Sequence, residues 1–180
     1  IYALHSHLSS RLDNGLSTYV CYVDFQTAFP TAFKPLVFTA LFDAGVTGCL
    51  WQVTRDLFQH VSSRVLHPDI APTTTFAIPQ GVLEGSKLSP LLFNVAVNDM
   101  WSTFQSHPWQ ARTLGSTGLW GVYCGVFQYA NDVALVAESP KELDHMLEVL
   151  APYCRSHALV GNISTCVAVT YLPFVRLGPN

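Results

Sequence analysis

Two acidic residues of this sequence stand where strands would present them. Asp24 closes a β-prone run, and Asp132 lies in the tight turn Ala130-Asn131-Asp132 between two more such runs. Carboxylates on neighbouring strands, about 4.8 Å apart, can share two divalent ions about 3.5–4 Å apart, the arrangement that serves in-line phosphoryl transfer. The same residue types are ordinary turn formers, because Asp and Asn tolerate left-handed backbone and bond to it locally. Spacing alone leaves both readings open. Other groupings offer less: His5 and His7 are two apart and do not share a helix face, and Cys154 with His157 lacks a second ligand pair for zinc. No Gly-rich phosphate loop, nucleophile-elbow serine or heptad run is present.

The elements that must position these acids follow from periodicity. Ile1, Leu4, Leu8 and Leu12 recur at helical spacing, and Asp13-Asn14-Gly15 stops the helix. Ser17 to Phe25 is rich in β-branched and aromatic residues and reads as a buried strand with Asp24 at its end. Leu36 to Ala44 is a short helix closed by Gly45, and Leu50, Val53, Leu57 and Val61 mark another. Ser63 to Leu66 and Thr73 to Ile78, around His67-Pro68-Asp69, suit a hairpin. Ser89 before Pro90 reads as an N-cap and N1 pair for a long helix running to Phe104, and Ser102 to Gly118 reads as a loop. Tyr123 to Tyr129 and Val133 to Ala137 form a β-hairpin around Ala130-Asn131-Asp132. Ser139, Pro140 and Glu142 supply an N-cap, N1 and acidic N3 for a helix burying Leu143, Met146, Leu147 and Leu150, which Pro152 kinks or ends. A last strand covers Thr165 to Leu172. The order predicts an α+β fold, a sheet with helices on one face.

The residues around the two acids carry a resemblance. Tyr22-Val23-Asp24-Phe25-Gln26-Thr27-Ala28-Phe29 is similar to the first palm motif of reverse transcriptases from non-LTR retrotransposons. Gly81-Val82-Leu83-Glu84-Gly85-Ser86-Lys87-Leu88-Ser89-Pro90-Leu91-Leu92-Phe93-Asn94 resembles their second motif, with its Leu-Ser-Pro-x-Leu-Phe-Asn core. Tyr129-Ala130-Asn131-Asp132 resembles their Tyr-Ala-Asp-Asp turn. Leu143 to Thr165, ending Leu159-Val160-Gly161-Asn162-Ile163-Ser164-Thr165, resembles the helix and Leu-x-x-Asn-x-x-Lys-Thr segment that follows. All four occur in the family's order and span nearly the whole chain.

The resemblance implies a polymerase palm-like antiparallel sheet with partial fingers and no thumb, a single domain over residues 1–180 cut from a longer protein. It implies an ancestral RNA-directed DNA polymerase acting on an RNA template, a DNA primer and deoxynucleotides with Mg²⁺. Its catalytic positions would be Asp24, Asn131 and Asp132, with metal ligands from Asp24, the backbone carbonyl of Phe25, and Asp132. Phe29 matches the aromatic that crowds the sugar 2′ position, and a buried core Phe is the equal reading. Gly85 matches the glycine that lets backbone approach template and nucleotide, or is a turn glycine before the helix. Four departures stand out: Asn131 where the family has a metal-binding Asp, Glu84 for Gln, Pro30 for Asp, and Ser164 for the late Lys. An amide offers one neutral oxygen where Mg²⁺ favours carboxylates, so magnesium affinity should be weakened and the polymerase inactive or strongly impaired. The alternative is a non-catalytic palm-fold module that binds protein or RNA.

Composition narrows the rest. The chain has 180 residues, 49% of them hydrophobic, enough for one real core. Only 12% are charged, about half the ordinary share, so some apolar surface expects a neighbour. A net charge of −3 supplies no general attraction for phosphate backbones. No apolar run reaches the ~20 residues of a membrane span, and no membrane partner is expected. Five scattered cysteines without CxxC spacing fit reduced thiols and an intracellular setting, nuclear or cytoplasmic.

Overall fold

The computed structural model describes residues 1–69, 71–106, 118–119 and 122–173. They divide into two compact units. The first draws on Ile1–Gln26, Asp99–Ser156 and the chain from Val160 onward, and the second on Thr27–Asn98 and His157–Leu159.

The first unit is built on a sheet whose described strands run β6-β7-β1-β8, with β1 Thr18–Asp24, β6 Val126–Tyr129, β7 Asp132–Ala137 and β8 Val167–Tyr171. Every neighbouring pair is antiparallel. The β-branched and aromatic content of Thr18 to Val23 suits a central strand, and β1 is paired on both sides. Helix α1, Tyr2–Asp13, packs Leu8 onto Val20, Ala134 and Val136, with Leu4, Tyr22, Phe127 and Tyr171 around them. Helix α7, Pro140–Ser156, runs against β7 and β1 and buries Leu143, Met146, Val149, Leu150 and Tyr153.

Polar contacts fix where α1 meets the sheet. Arg11 is buried, and its guanidinium donates to Thr18 Oγ1 at 2.7 Å, to the Ser17 carbonyl at 3.1 Å and to Glu138 Oε1 at 2.9 Å. A buried guanidinium needs such partners, since an unpaired one would cost several kcal/mol. The cap of α7 forms as the sequence predicts: Ser139 Oγ accepts from the Glu142 amide at 3.2 Å. The Glu142 carboxylate reaches one residue further back than a standard capping box and accepts from the Glu138 amide at 2.7 Å.

In the second unit α2 spans Ala28–Thr31, α3 Lys34–Asp43, α4 Gly48–Gln59 and α5 Ser89–Ala96. Helix α3 packs against α4 and α5 around Val37, Phe38, Leu41, Phe58, Leu92 and Phe93, all buried. Trp51 Nε1 donates to the Phe38 carbonyl at 2.9 Å, and the Arg55 guanidinium lies 4.9 Å from the Trp51 ring. Leu50, Val53 and Leu57 form an exposed stripe along α4.

Several expectations need correction. The long helix from Ser89 to Phe104 is two helices, α5 and α6 (Met100–Ser106), so the start of the expected loop is helical. At the break the Asn98 amide falls back to Val95, and the Asp99 carbonyl then accepts from the Thr103 amide and from the Ser102 and Thr103 hydroxyls as α6 begins. Hydroxyls bonded back to a carbonyl three or four residues earlier bend a helix rather than cap it. Ser89 is the first helical residue rather than the cap, with Oγ donating to the Leu83 carbonyl at 2.5 Å. Pro152 lies inside α7 and does not end it. The hairpin around His67 shrinks to β2 Ser62–Ser63 and β3 Phe76–Ala77. The run Tyr123 to Tyr129 splits: β4 Gly118–Leu119 pairs with β5 Val122–Tyr123, while β6 pairs with β7. The rest of the expected 102–118 loop lies outside the described residues.

Candidate functional site

The sheet brings the two sequence-distant acids together. In the β1–β7 register Asp24 stands opposite Asp132, the last residue of one strand against the first of the next. The β6–β7 hairpin closes with Tyr129 opposite Asp132, so Ala130 and Asn131 form a two-residue loop. Ala130 takes φ +53° while Asn131 keeps a negative φ, the φ pattern of a type II′ turn. This tight loop returns Asn131 to the end of β1.

There Asn131 meets Asp24 directly. Its Nδ2 donates to Asp24 Oδ1 at 3.3 Å. An amide beside a carboxylate turns its N–H toward it, because the opposite orientation would set oxygen against oxygen. The other Asp24 oxygen, Oδ2, accepts from Asn162 Nδ2 at 3.3 Å and from Thr165 Oγ1 at 2.7 Å. Both carboxylate oxygens therefore have neutral donors. Asp132 is exposed, and its carboxylate accepts no hydrogen bond among the described residues.

The segment carrying Asn162 and Thr165 is itself tied to the end of β1. The Asn162 amide donates to the Asp24 carbonyl at 2.8 Å, and the Gln26 amide donates to Val160 at 2.8 Å. These bonds flank a bridge between Phe25 and Gly161, so the Phe25 carbonyl takes no part in them, and its side chain is buried. Ser164 Oγ donates to Asn162 Oδ1 at 2.7 Å, turning the Asn162 amide N–H toward Asp24.

Asp24 and Asp132 also line an apolar cleft of about 440 Å³ with Leu4, Tyr22, Phe127 and Tyr129. Tyr22 exchanges a hydrogen bond with the Tyr171 hydroxyl at 2.9 Å. Burial first, and that bond second, push its pKa up to about 12, so it stays neutral at physiological pH.

The remaining two site candidates fall together in the second unit. Phe29 and Gly85 line one cavity of about 370 Å³ with Leu83, Glu84, Ser86 and Ser89. Phe29 is half-buried and packs on Phe93 with ring centroids 5.1 Å apart. Gly85 has φ +82° with open space where a Cβ would stand, so backbone conformation is what requires glycine there.

Three residues escaped the reading of single side chains. Asn162 and Thr165 lie inside the fourth motif, and their polar three-residue spacing within a turn is the signal that could have marked them. Gly81 has φ +85°, and a Cβ there would come 2.2 Å from the Pro30 carbonyl oxygen. Its amide donates to Ala32 at 2.9 Å and the Val82 amide to Phe29 at 2.8 Å. Among the described residues no group of three or more His, Cys, Asp and Glu is placed to hold a metal ion, and no helix is long and apolar enough to cross a membrane.

The mixed α+β architecture, with an acid pair at the ends of antiparallel neighbours, is that of a polymerase palm. Telomerase from Candida tropicalis, truncated from the C-terminal domain, superimposes with a TM-score of 0.68 at 9% identity, covering 94% of this chain and 34% of that one. Telomerase from Candida albicans, solved with a TWJ fragment of telomeric RNA, gives 0.57 at 13% identity, over 92% of this chain and 30% of that one. These likenesses define the fold. The sequence model described as reverse transcriptase (RNA-dependent DNA polymerase) matches residues 4–177, and the chain belongs to that family. The retrovirus-related Pol polyprotein from type-1 retrotransposable element R2 of Popillia japonica is 25% identical over 168 residues, or 93% of this chain. The chain spans 23% of the length of that curated relative.

Proposed function

We propose that this chain is the palm, with part of the fingers, of a non-LTR retrotransposon reverse transcriptase, one domain over residues 1–180 that no longer sustains DNA synthesis. The observation that carries this reading is the Asn131 amide donating to Asp24. A two-ion centre needs anionic oxygens facing a shared space, because the ions must balance charge on both the attacking and the leaving oxygen. Asp24 and Asp132 supply two carboxylates, but residue 131 supplies a neutral amide, which turns its N–H toward Asp24 and has only one uncharged oxygen to offer a cation. The donor set does not fit a two-ion magnesium centre. Loss of one preorganised electrostatic group commonly costs about 10²–10³ in rate.

In the ancestral enzyme Asp24, the Phe25 carbonyl and Asp132 would have shared the magnesium ions, with Phe29 and Gly85 against the deoxynucleotide and its template. RNA template and DNA primer are the partners of that activity. A net charge of −3 gives this chain little hold on either by itself. The reading is tested by magnesium calorimetry paired with primer extension on an RNA template. The expected outcome is weak magnesium binding and no templated extension, and extension above a no-enzyme control overturns it.

One observation favours a second reading, a non-catalytic palm-fold module binding protein or RNA. Leu50, Val53 and Leu57 lie at helical spacing on α4 and are each about half or more exposed, a stripe suited to a partner's apolar surface.

A further inference from the structure

We propose that Asn162 and Thr165 are positioning residues which, with Asn131, form a metal-free lock on Asp24, so that a divalent cation must compete with their hydrogen bonds for that carboxylate. This rests on the reading of the centre as incomplete and says what replaced it. A carboxylate at the end of a strand needs partners for both oxygens. In a metal centre those partners are cations. Here Oδ1 has Asn131, and Oδ2 has Asn162 at 3.3 Å and Thr165 at 2.7 Å.

The lock is built rather than incidental. Thr165 Oγ1 also lies 3.1 Å from the Asn162 carbonyl, which receives the Thr165 and Cys166 amides at 3.0 Å each. Asn162 is anchored through its own amide to the Asp24 carbonyl and through Oδ1 to Ser164. The loop thus grips the same residue twice, by backbone and by side chain. Ser164 orients this grip through the Asn162 side chain.

Two roles for Thr165 predict opposite results. A group that merely orients a metal ligand costs about 10–100-fold in metal affinity when removed. A group that competes with the metal tightens binding when removed, by about two- to tenfold for one exposed hydrogen bond of ordinary net strength.

The test is a Mn²⁺ titration, followed by the paramagnetic resonance signal of the free ion, on the natural chain and on Thr165→Val, Thr165→Ser and Asp24→Asn. The expected result is weak binding by the natural chain and by Thr165→Ser, severalfold tighter binding by Thr165→Val, and none by Asp24→Asn. Slow hydrogen exchange at the Asn162 amide in Thr165→Val verifies that the loop still docks, and Thr165→Ala repeats the test if it does not. Unchanged or weaker binding in a docked variant overturns the lock alone. Two ions held tightly by the natural chain would overturn the incomplete centre and the lock together.

Discussion

Asn131→Asp should destabilise the chain without metal and make its stability depend on magnesium. The substitution replaces a donor 3.3 Å from Asp24 Oδ1 with a second anion at the same distance. Two unit charges at that separation repel by about 5 kcal/mol at an effective dielectric of 20. Asp24 and Asn131 are only partly buried, so solvent screening reduces this to roughly 1–2 kcal/mol. Losing a long, part-exposed hydrogen bond of ordinary net strength adds about 1 kcal/mol. For a chain of this size each kcal/mol moves the melting temperature by about 2–4 °C, which predicts a fall of roughly 5–10 °C in EDTA. A cation between the carboxylates reverses the sign of the interaction, and an ion at 100 times its dissociation constant returns about 2.7 kcal/mol. Thermal unfolding of both proteins by circular dichroism, in EDTA and across a magnesium titration, reads the effect directly. The repaired carboxylate should still fail in primer extension, because template and primer must be positioned to about an ångström. Equal melting temperatures in EDTA and equal responses to magnesium would refute the coupling between residues 131 and 24.

Gly81→Ala should cost about 3 kcal/mol or more, because a Cβ meets the Pro30 backbone rather than a movable side chain and φ is +85°. Urea unfolding measures it, and a change under 1 kcal/mol would show the crossing to be looser than described. His7 is buried with neither ring nitrogen hydrogen-bonded among the described residues, and its pKa is lowered, by burial first and Arg11 second. The unfolded chain then takes up the proton first, so stability should fall as pH drops below 6.5 toward the folded value. Glu142, raised mainly by burial, works in the opposite direction above its ordinary value of 4.5. Comparing His7→Phe with the natural chain between pH 5 and 8 isolates the His7 slope, and parallel curves would contradict it.

What was legible in the sequence was what local chemistry decides. Ser139-Pro140 and Glu142 announce α7 because capping is a matter of four consecutive residues. Asp24 and Asp132 could be paired because each sits at a strand terminus and antiparallel neighbours meet there. What escaped depends on distant partners. The grip of Asn162 and Thr165 on Asp24 spans a sequence separation of about 140 residues, and no local pattern reports it. Gly81 opens the second motif, yet no local pattern marks it as indispensable, since only the passage of Pro30 over it requires glycine. Helix α5 ends at Ala96, where the Asn98 amide turns back to Val95, although the apolar periodicity runs on past it.

On the proposed reading, the acid corner also explains how a palm fold could outlast its chemistry. Asp24 and Asp132 stand opposite each other, and like charges directly opposite destabilise a sheet. A third carboxylate in the hairpin loop would deepen that repulsion whenever no cation is present. Asn131 converts it into a hydrogen bond. Meanwhile the packing that holds the sheet, Leu8 against Val20, Ala134 and Val136, uses none of these side chains. Losing a metal ligand here should therefore leave the core intact and relieve strain at the corner, the direction expected when a site tuned for activity is traded for stability. An amide at residue 131 is then a favourable change for the fold, and the metal-free stability of Asn131→Asp measures how large that advantage is.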